Sequence, residues 1–309
     1  MSVLTIFTAP KPFTDPHIDL IQRNAIRSWL ALGPEVEVIL VGEENGLAEV
    51  AAEYGVKHLP RVVRNLQRTP LVSSIFSLAR NASQSPLLAY VNADIVLMPD
   101  FLQAAQQAAA QAPRFLMVGQ RWDLEVLAPL DFSAGWPERL QARLRAEGRL
   151  HPRGGSDYFI FPRACFENMP AFAIGRAGWD NWMIYEGRRQ GWPVIDSTTA
   201  VQIVHQDHDY GHLPKGQPHY RLPETAENVR LAGGKRTIFN LIDANYQLCE
   251  GQLRRAPLSG EKFWREMEIF PLVRWHSYAL AQVSYAIFHP RRAYRDFRAW
   301  LRTRQGRGA

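Results

Sequence analysis

The triplet Asn92-Ala93-Asp94 closes the apolar run Leu87-Leu88-Ala89-Tyr90-Val91. A run of this length and composition reads as a buried strand, so it delivers a carboxylate to the point where a strand leaves the core and meets a cleft. Such a carboxylate suits a hard divalent cation, which takes oxygen ligands and keeps positions open for phosphate; the arrangement looks like a metal-diphosphate site. The plain alternative is an Asx turn, because Asn and Asp are favoured at strand ends whatever the chemistry.

Three further clusters carry chemistry-bearing side chains. His151-Pro152-Arg153-Gly154-Gly155-Ser156-Asp157 precedes the strand-like Tyr158-Phe159-Ile160-Phe161. Its paired glycines allow close backbone approach to a ligand and positive φ; a simple turn before a strand is the other reading. Ala177-Gly178-Trp179-Asp180-Asn181-Trp182 opens a helical pattern that ends near Gly191. There Asp180 is either a cap or a base that takes a proton from a hydroxyl. Trp179 and Trp182 are candidates for stacking on a sugar ring or for the core. The stretch Val204-His205-Gln206-Asp207-His208 follows a strand and continues to His212. Its histidines are loop residues, ligands of a cation, or members of a zinc site built from His205, His208 and His212, although the spacing is not a strong zinc signature.

Together with Leu78-Ala79-Arg80-Asn81, the stretch Ala79 to Leu97 resembles the A-R-N-x-G and D-x-D region of family 2 and related GT-A glycosyltransferases. The order of the four clusters matches that of the GT-A landmarks, across roughly residues 1–212. The resemblance implies a nucleotide-sugar donor, Mn²⁺ or Mg²⁺ as cofactor, and a metal ion that neutralises charge on the diphosphate leaving group. It makes Asp94 the metal ligand, with His205 and then His208 as the late histidine ligand. Asp180 becomes the catalytic base and favours inversion at the anomeric carbon. Gly154, Gly155 and Asp157 fall beside donor sugar and acceptor. Two departures stand out: Asn92 occupies the first acidic position of D-x-D, where it suits ribose or sugar hydroxyls, and Trp179 replaces the Glu of the x-E-D motif.

The elements that must position these groups alternate. Strands are expected at Val3–Thr8, Val36–Val41, Val56–Leu59, Leu87–Val91, Phe115–Val118, Asp157–Phe161, Val194–Ile195 and Ala200–Val204. Helices are expected at Ile18–Leu32, Leu47–Tyr54, Leu71–Ala82, Phe101–Ala112, Pro137–Glu147 and Asp180–Arg189, then near Glu224–Leu231 and Thr237–Leu248. The alternation predicts an α/β chain with a mostly parallel, Rossmann-like sheet and helices on both faces; the resemblance implies that the sheet is of GT-A type, and a helical C-terminal extension is expected to follow. Such a sheet binds ligands beyond the carboxyl ends of its strands. Thr8, Pro10 and Glu43 lie at such ends, where the fold class holds base and ribose. Arg64 and Arg80 are candidates for nucleotide or diphosphate, and Arg121-Trp122-Asp123 for the acceptor side. The segment between Trp122 and Arg153 reads as an insertion over the site.

With 46% hydrophobic and 21% charged residues, the chain can bury a sizeable core. The expected division is a catalytic domain at 1–212 and a helical extension with a basic amphipathic tail at 213–309. Cys165 and Cys249 lack C-x-x-C spacing, and Met1 to Phe13 has no signal-peptide pattern, which reads as a cytoplasmic chain without a membrane span. Between Pro271 and Ala309 eight arginines face one acid, net +7, so the rest of the chain is −1 against an overall +6. Basicity therefore belongs to the tail and gives no argument for nucleic acid. Tyr294, Phe297, Trp300 and Leu301 interleave with these arginines at helical spacing. They suit an anionic membrane surface on the inner face of the plasma membrane, or an aromatic face packed onto the protein.

The expected activity is hexosyl or related transfer to a hydroxyl of a glycan or lipid-linked glycan, as in polysaccharide biosynthesis. A sugar-phosphate nucleotidyltransferase would carry G-x-G-T-R after the first strand, where this chain has Thr8-Ala9-Pro10-Lys11. A saccharide-binding protein without catalysis on the same scaffold is the remaining alternative.

Overall fold

A computed structural model describes residues 2–208 and 222–305, residues 299–305 through their backbone alone. His212 lies outside the described residues, as do the side chains of Trp300 and Leu301.

The main sheet has nine strands. They are β1 (Leu4–Thr8), β2 (Val36–Val41), β3 (Lys57–Leu59), β4 (Leu87–Val91), β6 (Leu116–Val118), β9 (Tyr158–Pro162), β10 (Val194–Asp196), β12 (Tyr246–Cys249) and β13 (Gln252–Arg255), in the order β13-β12-β10-β6-β9-β4-β1-β2-β3. Pairing is parallel except that β9 runs antiparallel between β4 and β6, and β13 antiparallel to β12. Successive strand residues point to opposite faces. Ile6, Ala89 and Ile160 accordingly pack in one buried cluster, and Phe7, Tyr90 and Phe161 in another. The first cluster is covered by α1 (Pro16–Leu30), α2 (Leu47–Tyr54) and α4 (Asp100–Gln111), the second by α3 (Val72–Ala82) and α6 (Trp179–Arg189). Helices thus lie on both faces of a mostly parallel sheet, as the periodicity leads one to expect.

Local sequence explains α1. Asp15 accepts from the backbone N–H of His17 at 2.9 Å and Ile18 at 3.0 Å, with Pro16 in the first turn. Its Trp29 is fully buried and donates from Nε1 to the Ile95 carbonyl at 2.9 Å. Truncating such a side chain to alanine costs about 3–5 kcal/mol.

A second, four-stranded sheet was not expected. β5 (Ile95–Leu97), β11 (Ile203–Gln206), β7 (Trp122–Leu124) and β8 (Arg149–Leu150) associate in that order. The strand expected at Ala200–Val204 belongs here rather than to the main sheet. The segment read as an insertion contributes β7, β8 and α5 (Trp136–Glu147), whose Trp136, Leu140 and Leu144 pack with Val96, Leu124 and Val204.

The helix expected at Thr237–Leu248 is replaced. Short 3-10 turns occupy Lys235–Thr237 and Leu241–Asp243, and Tyr246–Cys249 is strand β12. Asn240 and Asp243 cap each other and close one turn. Asn245 Oδ1 then accepts from Val194 N–H at 2.8 Å, and β12 takes the open edge of β10. A free sheet edge outweighs local helical preference here. Two strands from the part of the chain expected to be a helical extension, β12 and β13, thus join the main sheet. After α7 (Pro223–Leu231) and the β12-β13 hairpin, the helical part is α8 (Gly260–Arg274), α9 (Tyr278–Phe288) and α10 (Pro290–Gln305). α8 is fastened by Arg188 to Glu266 at 2.7 Å and by Arg265 to the fully buried Asp243 at 2.7 Å. No helix of the described residues is long and apolar enough to cross a membrane.

Candidate active site

A cleft of about 650 Å³ opens at the carboxyl ends of β1 and β4. Parallel pairing of β1 with β4 aligns their exits, Ala9-Pro10-Lys11 and Asn92-Ala93-Asp94, on one rim. Because β9 runs the other way, its entry loop Gly154–Asp157 arrives at the same rim, and the Asn92 N–H donates to the Asp157 carbonyl at 2.8 Å. The small sheet supplies the fourth wall. β11 pairs with β5, His205 opposite Ile95, which folds the histidines over Asp94.

Asp94 Oδ2 lies 3.0 Å from His208 Nε2 and 3.9 Å from His205 Nε2. Among the described residues, Asp94 Oδ1 and His205 Nδ1 are buried and have no hydrogen-bond partner. Nδ1 of His205 faces Asp123 Oδ1 at 3.4 Å and Asp207 Oδ1 at 3.6 Å. Asp94, His205 and His208 each offer a ligand atom, all within 4.8 Å of one another. An orphaned carboxylate oxygen beside two imidazoles is a donor set that fits a divalent cation, since burying such atoms without a partner is otherwise costly. Burial alone would raise the Asp94 carboxyl, but the His208 hydrogen bond and the charges of His205, His208 and Lys11 hold it far below the usual carboxylate range. Burial pushes the His205 imidazole down against the pull of Asp94, which favours the neutral ring that binds metal.

Gln206 locks this corner. Strand alternation turns it into the core, where it is fully buried. Its Nε2 donates to the Ile21 carbonyl at 2.7 Å and the Asp94 carbonyl at 3.1 Å, and its Oε1 accepts from Asn24 Nδ2 at 2.9 Å. Sequence reading overlooked Gln206; its signal is a polar residue at a strand's inward position.

Asp157 is committed to neighbours. Arg121 Nη1 reaches both its oxygens at 2.9 Å, and Asn92 Nδ2 donates to Oδ1 at 2.9 Å. Arg121 Nε also holds Asp123 Oδ1 at 2.9 Å, and His151 Nδ1 lies 2.7 Å from Asp123 Oδ2. Burial opposes the charge on Asp123, and His151 and Arg121 more than offset it, so its carboxyl is held low. This chain of charges, largely buried at Asp157, Arg121 and Asp123 and more open at His151, gives the rim a fixed shape.

Asp180 enters the cleft on the first turn of α6. Gly178 makes the approach with φ of +113°, a conformation that side chains other than glycine's resist. Its N–H donates to Asp180 Oδ1 at 3.1 Å. Burial raises the Asp180 carboxyl, and nearby Asp157 adds to the shift, against the backbone N–H groups of Asn181, Gly178 and Asp180 itself. Beside it Trp179 lines the cleft but is only 5% exposed, packed edge-on against Tyr90; Trp182 is core, against Phe172.

Of the remaining candidates, Pro10, Asn92, Gly154, Gly155 and Asp157 line the cleft. Neither Gly154 nor Gly155 has positive φ; a Cβ on Gly154 would meet open space. Four candidates stand elsewhere. Thr8 is fully buried in β1. Glu43 points to solvent, 3.4 Å from Arg64, and Arg64 is used to tie its loop to Glu44 at 2.8 Å and to the Arg68 carbonyl at 2.9 Å. Arg80 donates to the Cys165 and Phe166 carbonyls at 2.7 and 3.1 Å, securing the turn after β9. Cleft residues that sequence reading passed over include Tyr90, Arg68 and Arg176. Arg176 is paired to Glu224 at 2.7 Å, whereas the exposed Arg68 has no carboxylate partner among the described residues.

No family model matches the sequence. No curated protein matches it either. Among solved structures the chain is similar to glucosyl-3-phosphoglycerate synthase from Mycobacterium tuberculosis in complex with Mn²⁺, UDP and phosphoglyceric acid. Identity is 16%, covering 84% of this chain and 87% of that one, with a TM-score of 0.47. It is also similar to a mannosyltransferase from Pyrobaculum calidifontis in complex with GDP-mannose and Mn²⁺, at 12% identity over 68% and 58% of the two chains and a TM-score of 0.43.

Proposed function

We propose that this chain is a metal-dependent GT-A glycosyltransferase that moves a sugar from a nucleotide-diphospho-sugar to an acceptor hydroxyl of a glycan or lipid-linked glycan. The carrying observation is the orphaned Oδ1 of Asp94, buried at a strand end beside His205 and His208. These three residues would hold Mn²⁺ or Mg²⁺. When bound, the ion supplies positive charge against the charge growing on the departing diphosphate.

The protein's own groups do the rest. Pro10 and Lys11 shape the donor side, their loop clasped by Gln22, which accepts from Lys11 N–H at 2.7 Å and donates to the Lys11 carbonyl at 3.0 Å. Asn92, Asp157 and Arg121 form a rigid polar edge against which a sugar can be oriented. Asp180 takes the acceptor's proton as its oxygen attacks the anomeric carbon and the bond to the diphosphate breaks, with inversion. A carboxyl whose affinity for protons is raised by burial suits that task.

The C-terminal helices support a membrane-facing role for the same enzyme. Trp264 of α8, Ile287 of α9 and Tyr294 of α10 are 60%, 70% and 63% exposed, and Phe270, Val283 and Phe297 are exposed with them. Arginines flank these apolar side chains, so an anionic lipid surface complements both features. On this reading the protein is cytoplasmic and peripheral.

Thermal shift with UDP-, GDP-, dTDP- and CMP-linked sugars, each with and without Mn²⁺, tests the donor reading, because a ligand of the native state raises the melting point by mass action. A shift with one nucleotide that needs Mn²⁺ is expected. Absence of any metal-dependent shift across the panel would overturn the proposal.

A further inference from the structure

A second cavity, of about 330 Å³, lies away from the cleft, between the Lys235–Thr237 turn and helices α8, α9 and α10. Its wall is built by an unusual backbone. Gly234 has φ +110° and ψ −177°, a combination essentially reserved for glycine, and a Cβ there would stand 2.5 Å from the Tyr278 hydroxyl. The bend directs Lys235 and Arg236 at the cavity. Arg236 lies over the Tyr285 ring, 3.2 Å from its centre, and its buried Nε has no hydrogen-bond partner among the described residues. Its only carboxylate neighbour among the described residues is Asp296, at 3.9 Å.

The charges facing the cavity do not cancel. Glu268 is matched by Arg265 at 3.2 Å and His289 at 3.1 Å, and Arg265 is further held by Asp243. That leaves Lys235, Arg236 and Arg292 against Asp296 alone. Neither Lys235 nor Arg292 has a carboxylate partner among the described residues, and both are exposed. A buried guanidinium N–H without an acceptor, with two exposed cations at the mouth, is a donor set for a multiply charged oxyanion.

We propose that this cavity is a binding site for a terminal phosphate group, separate from the donor cleft. The phosphate can come from a lipid headgroup, in line with the exposed apolar side chains of the same helices, or from a soluble phosphomonoester. The lipid source rests on the membrane-facing reading above; phosphate recognition itself does not.

The test uses the full chain with Lys235→Gln, Arg292→Gln and Arg236→Gln. The first two are surface changes that leave the fold intact, so they decide the matter should Arg236→Gln fail to fold. One arm is calorimetric titration with glycerol 1-phosphate. The other is co-sedimentation with phosphatidylcholine vesicles carrying phosphatidic acid or phosphatidylglycerol at matched surface charge. A preference for phosphatidic acid that falls about fivefold per variant, with phosphatidylglycerol binding little changed, supports the site with a lipid source. Saturable glycerol 1-phosphate binding lost in the variants, with no lipid preference, supports it with a soluble source. Equal sedimentation with both lipids and no phosphate binding overturns it. Donor-induced thermal shift, measured on the same variants, should be unchanged and reports separately on the cleft.

Discussion

His208 Nε2 lies 3.0 Å from Oδ2 of Asp94, while the other oxygen of that carboxylate is buried without a partner among the described residues. The pair is therefore half-satisfied, and a cation would complete it. Asp94→Ala is expected to abolish Mn²⁺-dependent binding of nucleoside diphosphate and to leave the fold intact; His205→Ala should weaken it less. Calorimetric titration with and without Mn²⁺ measures this. An unchanged metal requirement in Asp94→Ala removes the residue from the site.

Asp123 faces the far nitrogen of His205 at 3.4 Å, where a carboxylate can orient a ligating imidazole. Asp123→Asn should lower metal affinity by about 10- to 100-fold, as loss of such outer partners generally does. Mn²⁺ titration followed by paramagnetic relaxation checks it, and affinity equal to wild type would make Asp123 a partner of Arg121 and His151 only.

Asp180→Asn should preserve donor binding and lower turnover by about 10²-fold or more, because the amide keeps the shape and loses the basic oxygen. The wild-type carboxyl is raised by burial, so its acid form persists to higher pH than for an ordinary aspartate. Turnover of the wild type should then fall on the acid side at a pH above the usual carboxylate range, and this limb should be missing from the variant. Near-normal turnover at saturating substrates would leave Asp180 as a helix cap.

Asp100 provides a stability test remote from chemistry. Burial raises its carboxyl to about 6, although the Gln202 N–H bonds to it at 2.9 Å. A raised folded-state value means that the favourable contribution is complete below the unfolded value and is lost as pH rises through about 6. Relative to wild type, Asp100→Asn should gain on the order of 2 kcal/mol between pH about 4 and about 7. Urea midpoints at the two pH values measure the difference; parallel pH profiles for the two proteins would refute it.

Chains ending at His289 keep Trp264, Phe270, Val283 and Ile287, all exposed. Truncation there should thus weaken sedimentation with anionic vesicles without abolishing it, whereas Trp264→Ser combined with Ile287→Ser should remove most of it. If the truncated and full chains bind equally, α10 has no part in the surface.

Most of the main sheet was legible because strands such as Leu87–Val91 are continuous apolar runs between helical repeats, whereas β12 was expected to be helix and β13 was not expected. The small sheet was not, because β5, β7 and β8 have two or three residues each and leave no periodicity to read. Residues 237–248 read as helix since nothing local announces that Asn245 will meet Val194. Among site candidates, Asp94, His205, His208, Asp157 and Asp180 were singled out by residue type and position after a strand or before a helix, and all five line the cleft. Arg64 and Arg80 misled for one reason: a guanidinium can serve backbone carbonyls or carboxylates as readily as a ligand, and sequence does not say which lies in reach. Gln206 escaped notice because its role depends on Asn24 and Ile21, far away in the chain.

That remoteness bears on how the protein reaches its working state. Gln206 joins Asn24 across 182 positions, and His208 joins Asp94 across 114. During synthesis the strands β1 to β4 emerge first, but the residues that close over Asp94 are still unmade. Contacts of such long sequence separation form late and slowly. A nascent or fragmentary chain should therefore have no binding competence at all, and a ligand of the cleft would reward only the finished molecule, favouring refolding over the off-pathway species that long β-rich chains tend to populate.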